Sequence, residues 1–424
     1  MTRFGPFRHR SYVVYWLGVA ISSMGTWLTA VAGSIFVYQL TGSTFAVGIF
    51  NFASFLPIVL FSVWGGQLSD RFDRRVITAV THALAMAISA VLAALTLAGA
   101  ATELTLIVAM FLINTLWAIG KPSLLSLVPN IVPREDLQDA VALTSLAFMS
   151  GQVVGPLLAA VAMAAAGAGL AFAINAATYV APVVAMVVLA RMGLRGDEGR
   201  RARARAGGAA AESAAAFVRG NVWPAALLAG VVVTSTAMEI QRTLAPAMAV
   251  ETLGIAEETA GMLLASQSVG SAISFLLFVP IRRRGWSRRS ATVGLGLQVV
   301  GVVGAALAPA LPVALVGFFL IGLGFALCFP VLTASLQEAT PDELRGRIMS
   351  YHQIALLGHR PLTALMIGAV ATAVGLIAGA LIWLVLVPVG VVAIRTAWRT
   401  LPERPPKPVA EAALDVRGQH QHDL

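Results

Sequence analysis

Ionisable side chains inside long apolar stretches are the residues of this chain whose types could do chemistry. Glu239 is the only acid clearly inside such a stretch, Arg242 follows three residues later, and His359 and Arg360 lie near the middle of another stretch. Charge in hydrocarbon is costly, so such groups usually pair or serve an ion or substrate pathway. We expect Glu239 to be a proton-responsive carboxylate, and we expect Arg360 to have an acidic or carbonyl partner, with Glu239 as first candidate.

A smaller set of polar and aromatic side chains in the same stretches could line a cavity. They are Asn51, Asn114, Gln152, Gln267 and Gln353, with Trp27 and Trp117 as stacking surfaces. Two further histidines receive other interpretations, His82 as a structural residue and His352 as a residue wetted at a helix end. A fixed Glu239–Arg242 pair near the outer rim is the alternative to a proton-coupling role, because Glu239 lies about 25 Å up a helix that crosses roughly 30 Å.

The elements that must position these residues are transmembrane helices. The 424 residues are 58% hydrophobic and 12% charged, which excludes a soluble domain and indicates a polytopic membrane protein. Twelve apolar runs are long enough to cross a bilayer, and they predict an all-α protein of two six-helix bundles. Their predicted limits are Tyr12–Tyr38, Phe45–Gly66, Val76–Ala98, Leu104–Val128, Ala140–Ala166, Leu170–Ala190, Val222–Val250, Thr259–Ile281, Ala291–Ala308, Leu311–Leu336, Ile348–Val374 and Leu376–Ala397.

Basic residues fall in alternate loops only, which fixes the predicted orientation. Arginines precede the first run and follow the second, sixth, eighth, tenth and twelfth, while Lys121 and Arg134 flank the end of the fourth. The opposite loops hold acids or no charge, so we expect both termini in the cytoplasm of a plasma or inner membrane. The net charge of +9 reflects this pattern, and we expect no nucleic-acid partner.

Composition also predicts the domain boundaries. Residues 191–220 are rich in Arg, Ala and Gly and separate a first bundle, residues 1–190, from a second, residues 221–399. The proline-rich and polar residues 400–424 are predicted to be a disordered cytoplasmic tail. The N-terminal apolar run lacks a cleavage site and is expected to remain as the first span.

A charged segment after the second run carries a family signature. Gly66, Asp70, Arg71, Arg74 and Arg75 are spaced as in the loop between spans 2 and 3 of the major facilitator superfamily, which they resemble. Asp73 stands where that family usually has glycine. The resemblance implies that Asp70 caps a helix of the opposite half and that the arginines join a cytoplasmic charge cluster, together holding one conformation shut. The alternative is a topology anchor only.

The fifth run carries a second signature. Gly151, Gly155 and Pro156 are similar to the antiporter motif of exporter branches, although Ala159 and Ala160 replace its usual glycines. Glycines four apart also suit ordinary close helix packing, which is the alternative interpretation. Shorter matches at residues 40–43, 172–176 and 344–350 look like the enterobactin-exporter and macrolide-efflux branch.

The resemblance implies a proton-coupled exporter of amphipathic small molecules, such as a drug, siderophore or secondary metabolite, that works by alternating access. Two departures are that Leu104–Gly120 has no basic residue and that the first run has no acid. An importer or facilitator of a small nutrient, and a non-transporting membrane sensor, are the alternatives. We expect a monomer whose partners are substrate, protons and the lipid bilayer; we expect no enzymatic activity, cofactor or metal site.

Overall fold

The computed structural model describes residues 5–133, 135–193, 209–283 and 287–402. This part of the chain is almost entirely helical and contains no strand. The main helices are α1 (Arg10–Thr41), α2 (Thr44–Arg71), α3 (Arg74–Leu97), α4 (Glu103–Leu125), α5 (Leu137–Thr178), α6 (Val180–Arg191), α7 (Val222–Ala247), α8 (Ala260–Arg283), α9 (Ser287–Ala306), α10 (Leu311–Ala339), α11 (Arg360–Val374) and α12 (Val387–Thr400). Short helices at Val128–Ile131 and Ala209–Gly220 connect some of them.

Helix α5 contains a reversal of chain direction. Its backbone leaves the helical region at Ala166 and Gly167, where Gly167 has a φ of 71°. Before this break the chain runs parallel to α1, because Gly151 and Gly155 contact positions of α1 that increase in the same order. Beyond the break the order of contacts is reversed, so the chain runs antiparallel to α1. The fifth crossing therefore ends at the break, and residues 168–191 form the sixth.

Ten segments of the described chain are long and apolar enough to span a membrane, and one of them, Asp139–Arg191, contains both crossings around the break. The 24-residue helix α8 supplies a further crossing, although its apolar part, Ala260–Ile273, is shorter. The all-α fold of two six-helix bundles predicted from the sequence is therefore present. Parts of the predicted linker and tail, together with Arg134, lie outside the described residues, whereas residues 209–220 of the linker are helical.

The charged signature is more helical than the sequence suggested. Helix α2 continues through Arg71, and Asp73 caps α3 by accepting a 2.8 Å hydrogen bond from the Arg75 amide. A side chain at Gly65 would lie 2.6 Å from the Ala118 carbonyl oxygen, whereas one at Gly66 would meet nothing. The close approach of α2 to α4 therefore depends on Gly65, and Gly66 does not provide it.

The eleventh and twelfth crossings are both interrupted where the sequence predicted single continuous spans. Residues Asp342–Gln353 are α-helical, Ile354–Gly358 form a π-helix, and α11 then begins at Arg360 with Pro361 in its first turn. The twelfth crossing likewise passes through a 3₁₀ segment, Ile382–Leu386, before α12. A π segment shifts the helix register, so it can turn His359 and Arg360 toward a face that a continuous helix would not offer.

The two halves meet near the loops that carry no basic residues. The Tyr38 hydroxyl donates a 2.9 Å hydrogen bond to Glu251, joining the end of α1 to the segment after α7. Gly48 of α2 lies so close to α11 that an added side chain would be 2.9 Å from the Ala364 carbonyl oxygen. Gly261 makes a similar approach to α5. These contacts close the predicted extracellular side.

Candidate functional site

A cavity lies between the first six and the last six crossings. One part, of about 590 Å³ including space open to solvent, is lined by Trp27, Gln152 and Pro156 from the first half and by Gln267 from the second. A second part, of about 910 Å³ including space open to solvent, extends toward the basic side. The aromatic, polar and cationic residues that line this second part include Trp27, Asn51, Phe55, His82, Asn114, Trp117, Lys121, Phe148, Arg242 and Arg360.

Glu239 and Arg360 form a buried ion pair beside this cavity. Arg360 Nε lies 3.8 Å from Glu239 Oε2, and the two residues are 3% and 0% exposed. The predicted pairing of Arg360 with Glu239 is therefore present in the structure. Neither Glu239 oxygen accepts a hydrogen bond in the described part of the chain, and Arg360 Nη1 has no hydrogen-bond partner there. The pair is held by charge attraction and by one hydrogen bond from Arg360 Nε to the Leu356 carbonyl.

Arg242 occupies a different position from the one its spacing suggested. Its guanidinium carbon lies 4.6 Å from the centre of the Trp27 ring and 5.4 Å from that of Phe55. Among the described residues, no ion pair within 4 Å joins it to Glu239, so the alternative of a fixed Glu239–Arg242 pair is wrong for this conformation. Aromatic faces attract a cation without neutralising it.

His359 packs against α7 rather than facing lipid. Its Nε2 lies 2.8 Å from the Ser235 hydroxyl, and its Nδ1 lies 3.1 Å from the Thr363 hydroxyl. The Ser235 contact holds the ring against α7, the helix that carries Glu239, and His359 immediately precedes Arg360 in the chain. His359 is thus close to the ion pair, through neutral hydroxyl groups, but is not a member of it.

Four of the five predicted polar residues, Asn51, Asn114, Gln152 and Gln267, line the cavity. Gln353 is exposed and is not part of the lining, so its assignment to the cavity was wrong. Asn51 receives a hydrogen bond from Ser34 and donates one of 3.4 Å to Thr243 of α7, so it also joins the halves. Asn114 donates to the Met110 carbonyl of its own helix, and Gln267 donates to the Met238 sulfur. Trp117 lines the part of the cavity nearer the basic side.

Lys121 was missed as a site residue. Sequence reasoning placed it among the basic residues flanking the fourth span, but α4 continues through Pro122 to Leu125. The Lys121 ammonium lies 4.1 Å from the centre of the Trp117 ring and 5.5 Å from that of Phe148. The sequence feature that could have identified Lys121 as a cavity residue is the apolar run that continues past it, together with an aromatic residue one helical turn before it.

Of the two further histidines, His82 keeps its structural role as a prediction, whereas His352 differs from its sequence interpretation. His82 lines the cavity, and its Nδ1 lies 2.7 Å from the Thr78 carbonyl oxygen of its own helix. His352 is 2% exposed and lies 2.9 Å from the Thr333 hydroxyl, so it is not a wetted residue at a helix end. Both interpretations relied on position along a span, which does not specify the facing direction of a side chain.

The charged signature divides into exposed and buried members. Asp70 and Arg71 are exposed, and no hydrogen bond or ion pair joins either side chain to another described residue. Arg74, which the resemblance assigned to a cytoplasmic charge cluster, is 3% exposed and donates a 3.2 Å hydrogen bond to the Ser126 carbonyl. Arg75 forms a 2.7 Å ion pair with Asp73, and its hydrogen bonds lower the pKa of that carboxyl below its ordinary value.

The motif residues of α5 pack within the first half. A side chain at Gly151 would lie 2.7 Å from the Ser23 backbone, and one at Gly155 would lie 2.9 Å from the Leu28 amide nitrogen. Close packing of α1 on α5 is therefore what the two glycines provide in this conformation, and a gating role remains a prediction. Pro156 lies inside the helix and lines the cavity.

Known proteins similar to this chain include siderophore transporters. The enterobactin exporter EntS of Salmonella typhimurium is 26% identical over 358 residues, which cover 80% of each chain. The staphyloferrin A transporter of Staphylococcus aureus is also 26% identical, over 157 residues that cover 37% of this chain and 40% of that protein.

Among solved structures, a bacterial homologue of the lysosomal transporter Spinster, in an inward-facing and occupied conformation, matches with a TM-score of 0.70 at 13% identity, covering 95% of this chain and 99% of that one. The D-xylose–proton symporter matches with a TM-score of 0.67 at 16% identity, over 92% and 97% of the two chains. At these identities the likeness concerns the fold. The family model described as transmembrane secretion effector (MFS_3) matches residues 1–413, and the chain belongs to this family of major facilitator superfamily transporters.

Proposed function

We propose that the protein is a proton-coupled exporter of amphipathic small molecules that works by alternating access. The buried Glu239–Arg360 pair beside the central cavity carries this proposal, because it joins one titratable carboxylate to a cation that lines the substrate space. A proton on Glu239 would weaken the pair, and loss of that proton would restore it. Rocking of the two halves about the cavity would expose the pair first to one side and then to the other.

The contacts between the halves support an inward-facing stage. The Tyr38–Glu251 hydrogen bond and the glycine contacts of α2 with α11 lie on the predicted extracellular side, while Asp70 and Arg71 are exposed on the other. The likeness to the inward-facing Spinster homologue agrees with this reading. On reorientation, Asp70 and the arginines of the signature would engage the opposite half and hold the cytoplasmic side shut.

The similarity to EntS along most of both chains favours export over import. We place the protein as a monomer in the bacterial inner membrane, with both termini in the cytoplasm. In this proposal residues 1–190 and 221–399 are the two moving halves, residues 191–220 are their cytoplasmic linker, and residues 400–424 are the tail.

The test is efflux from proteoliposomes with an imposed proton gradient. Glu239→Gln is expected to abolish transport against a substrate gradient while preserving downhill exchange, because an amide cannot titrate but occupies the same volume. The control is Gln337→Glu, which exchanges the same two side chains in the opposite direction at an exposed position of α10, near the predicted cytoplasmic side. Gln241→Glu is unsuitable as a control because it adds a buried charge. Normal uphill, pH-dependent pumping by Glu239→Gln would exclude Glu239 as the coupling residue and make His359 the next candidate.

A further inference from the structure

The cavity between the halves has an unbalanced charge. Lys121, Arg242 and Arg360 line it, and no Asp or Glu is among the described residues that do. The nearest carboxylate, that of Glu239, is fully buried behind Arg360. This inference rests on the proposed function. We propose that the substrate is an amphipathic organic anion whose acidic group binds Arg242 and Arg360, and whose apolar part lies along the aromatic rings that line the cavity toward Lys121.

The two guanidinium groups both lie within reach of the Phe55 ring. Their central carbons lie 5.4 Å (Arg242) and 5.1 Å (Arg360) from the centre of the same Phe55 ring. The Nη1 atom of Arg360 is a buried donor without a hydrogen-bond partner in the described part of the chain. An unmatched buried donor costs free energy, whereas a carboxylate can accept from two arginines through charge-assisted bonds. The missing acceptor therefore fits an oxyanion supplied by the substrate.

Lys121 provides a second cationic point in the same cavity. Its ammonium group is held by Trp117 and Phe148, and no ion pair with a described acid neutralises it. Rings that stabilise a cation leave its full charge available to an approaching anion. A substrate with two acidic groups can therefore be held at both ends, while its apolar part contacts the aromatic rings between them.

The same arrangement disfavours the other charge classes. A cationic substrate would approach a net positive charge in a partly desolvated space, because Glu239 offsets only one of the three cations, and this is unfavourable. A neutral amphipath would displace water from the arginines and leave their donors unmatched. Charge on the ligand is therefore expected to dominate selectivity.

Equilibrium binding to the purified full-length protein tests this proposal with three compounds of one shape. Radiolabelled naphthoate, the neutral naphthamide and cationic naphthylmethylammonium differ in charge but share the same ring system. We expect naphthoate to bind at least about tenfold more tightly than the other two, and naphthalene dicarboxylate to bind more tightly still.

Variants locate the binding site. Arg242→Gln is expected to weaken naphthoate binding about 10- to 100-fold, Arg242→Lys to restore part of it, and Lys121→Met to remove the advantage of the dicarboxylate. Arg191→Gln, at the exposed end of α6, is the control and is expected to bind as the wild type does. Unchanged thermal stability of Arg242→Gln shows that the protein remains folded; if that variant unfolds, Lys121→Met and the compound series still decide.

Equal or tighter binding of the amide or the ammonium compound would overturn the proposal, and so would unaltered naphthoate binding by Arg242→Gln. The outcome is separable from that of the proposed export. Uphill pumping of a cationic compound by vesicles that fail to bind naphthoate would leave export standing and reject the anion site. Charge-selective, Arg242-dependent binding without uphill transport would do the reverse.

Discussion

The Tyr38 hydroxyl donates a hydrogen bond to Oε1 of Glu251 across the two halves of the protein. Tyr38 is nearly buried at the end of α1, whereas Glu251 is exposed in the π-helical segment that follows α7. The bond therefore ties the first crossing of one half to the first crossing of the other, on the side where the halves are closed.

Tyr38→Phe is expected to favour opening of that side. Loss of one hydrogen bond to a partly exposed carboxylate is worth about 1 kcal/mol, or about fivefold in the ratio of the two conformations. A cysteine at Ser268 in the cavity, in a background where Cys328 is replaced by alanine, reports opening through its labelling by an impermeant maleimide from outside. Tyr351→Phe is the control, because no side-chain hydrogen bond of Tyr351 occurs among the described residues. Identical labelling rates for the two variants would reject this role for the bond.

Asp70→Asn is expected to impair transport without lowering stability in this conformation. The side chain is exposed and forms no ion pair with a described residue, so its removal changes the other conformation selectively. The midpoint of thermal unfolding should remain within about 1 °C of the wild type, while the rate of substrate flux falls severalfold. Normal flux, with cavity labelling from both sides unchanged, would leave the charged signature as a topology anchor only.

Gly65→Ala and Gly66→Ala are expected to differ sharply although they are neighbours. The methyl group at residue 65 would meet the Ala118 carbonyl oxygen, while the one at residue 66 would enter open space. We expect Gly65→Ala to lower the free energy of unfolding by about 1–3 kcal/mol, or to increase the separation of α2 and α4. Gly66→Ala is expected to change the free energy of unfolding little. Thermal unfolding in detergent measures both, and equal midpoints would contradict the packing described here.

The Glu239–Arg360 ion pair is expected to show strong coupling in a double-mutant cycle. Either Glu239→Gln or Arg360→Met alone leaves one buried charge without its partner, at a cost of about 3–5 kcal/mol. The double variant should be more stable than the sum of the two losses predicts. Additive losses in thermal unfolding would mean that the 3.8 Å separation carries no appreciable attraction.

The sequence predicted the fold well because membrane crossings have a strong signal in length and hydropathy. It also predicted the partner of Arg360, since a buried cation demands one and Glu239 is the only acid within any predicted span. It failed for His352 and Lys121, because span position does not specify which way a side chain faces. The π segment before His359, which alters that direction in the eleventh crossing, has no signature in hydropathy.

The orientation of the Arg242 guanidinium likewise depended on tertiary packing. Arg242 follows Glu239 by three positions, a spacing that favours a pair on an isolated helix. Trp27 and Phe55 from the other half instead provide a surface for the cation, and neither could be assigned as its neighbour from sequence. The alternative of a Glu239–Arg242 pair, which rested on local spacing, is absent because the competing contact comes from residues distant in the chain.

The cationic cavity has an electrical consequence for the proposed cycle. Moving one elementary charge through a potential of 100 mV changes its energy by about 2.3 kcal/mol, so an inside-negative membrane resists outward displacement of Lys121, Arg242 and Arg360 while the cavity is empty. A bound anion cancels part of that charge and relieves the resistance. The membrane potential would then favour the cytoplasm-facing conformation of the empty transporter. Binding of the anionic substrate would reduce this bias and allow the transition to the outward-facing conformation.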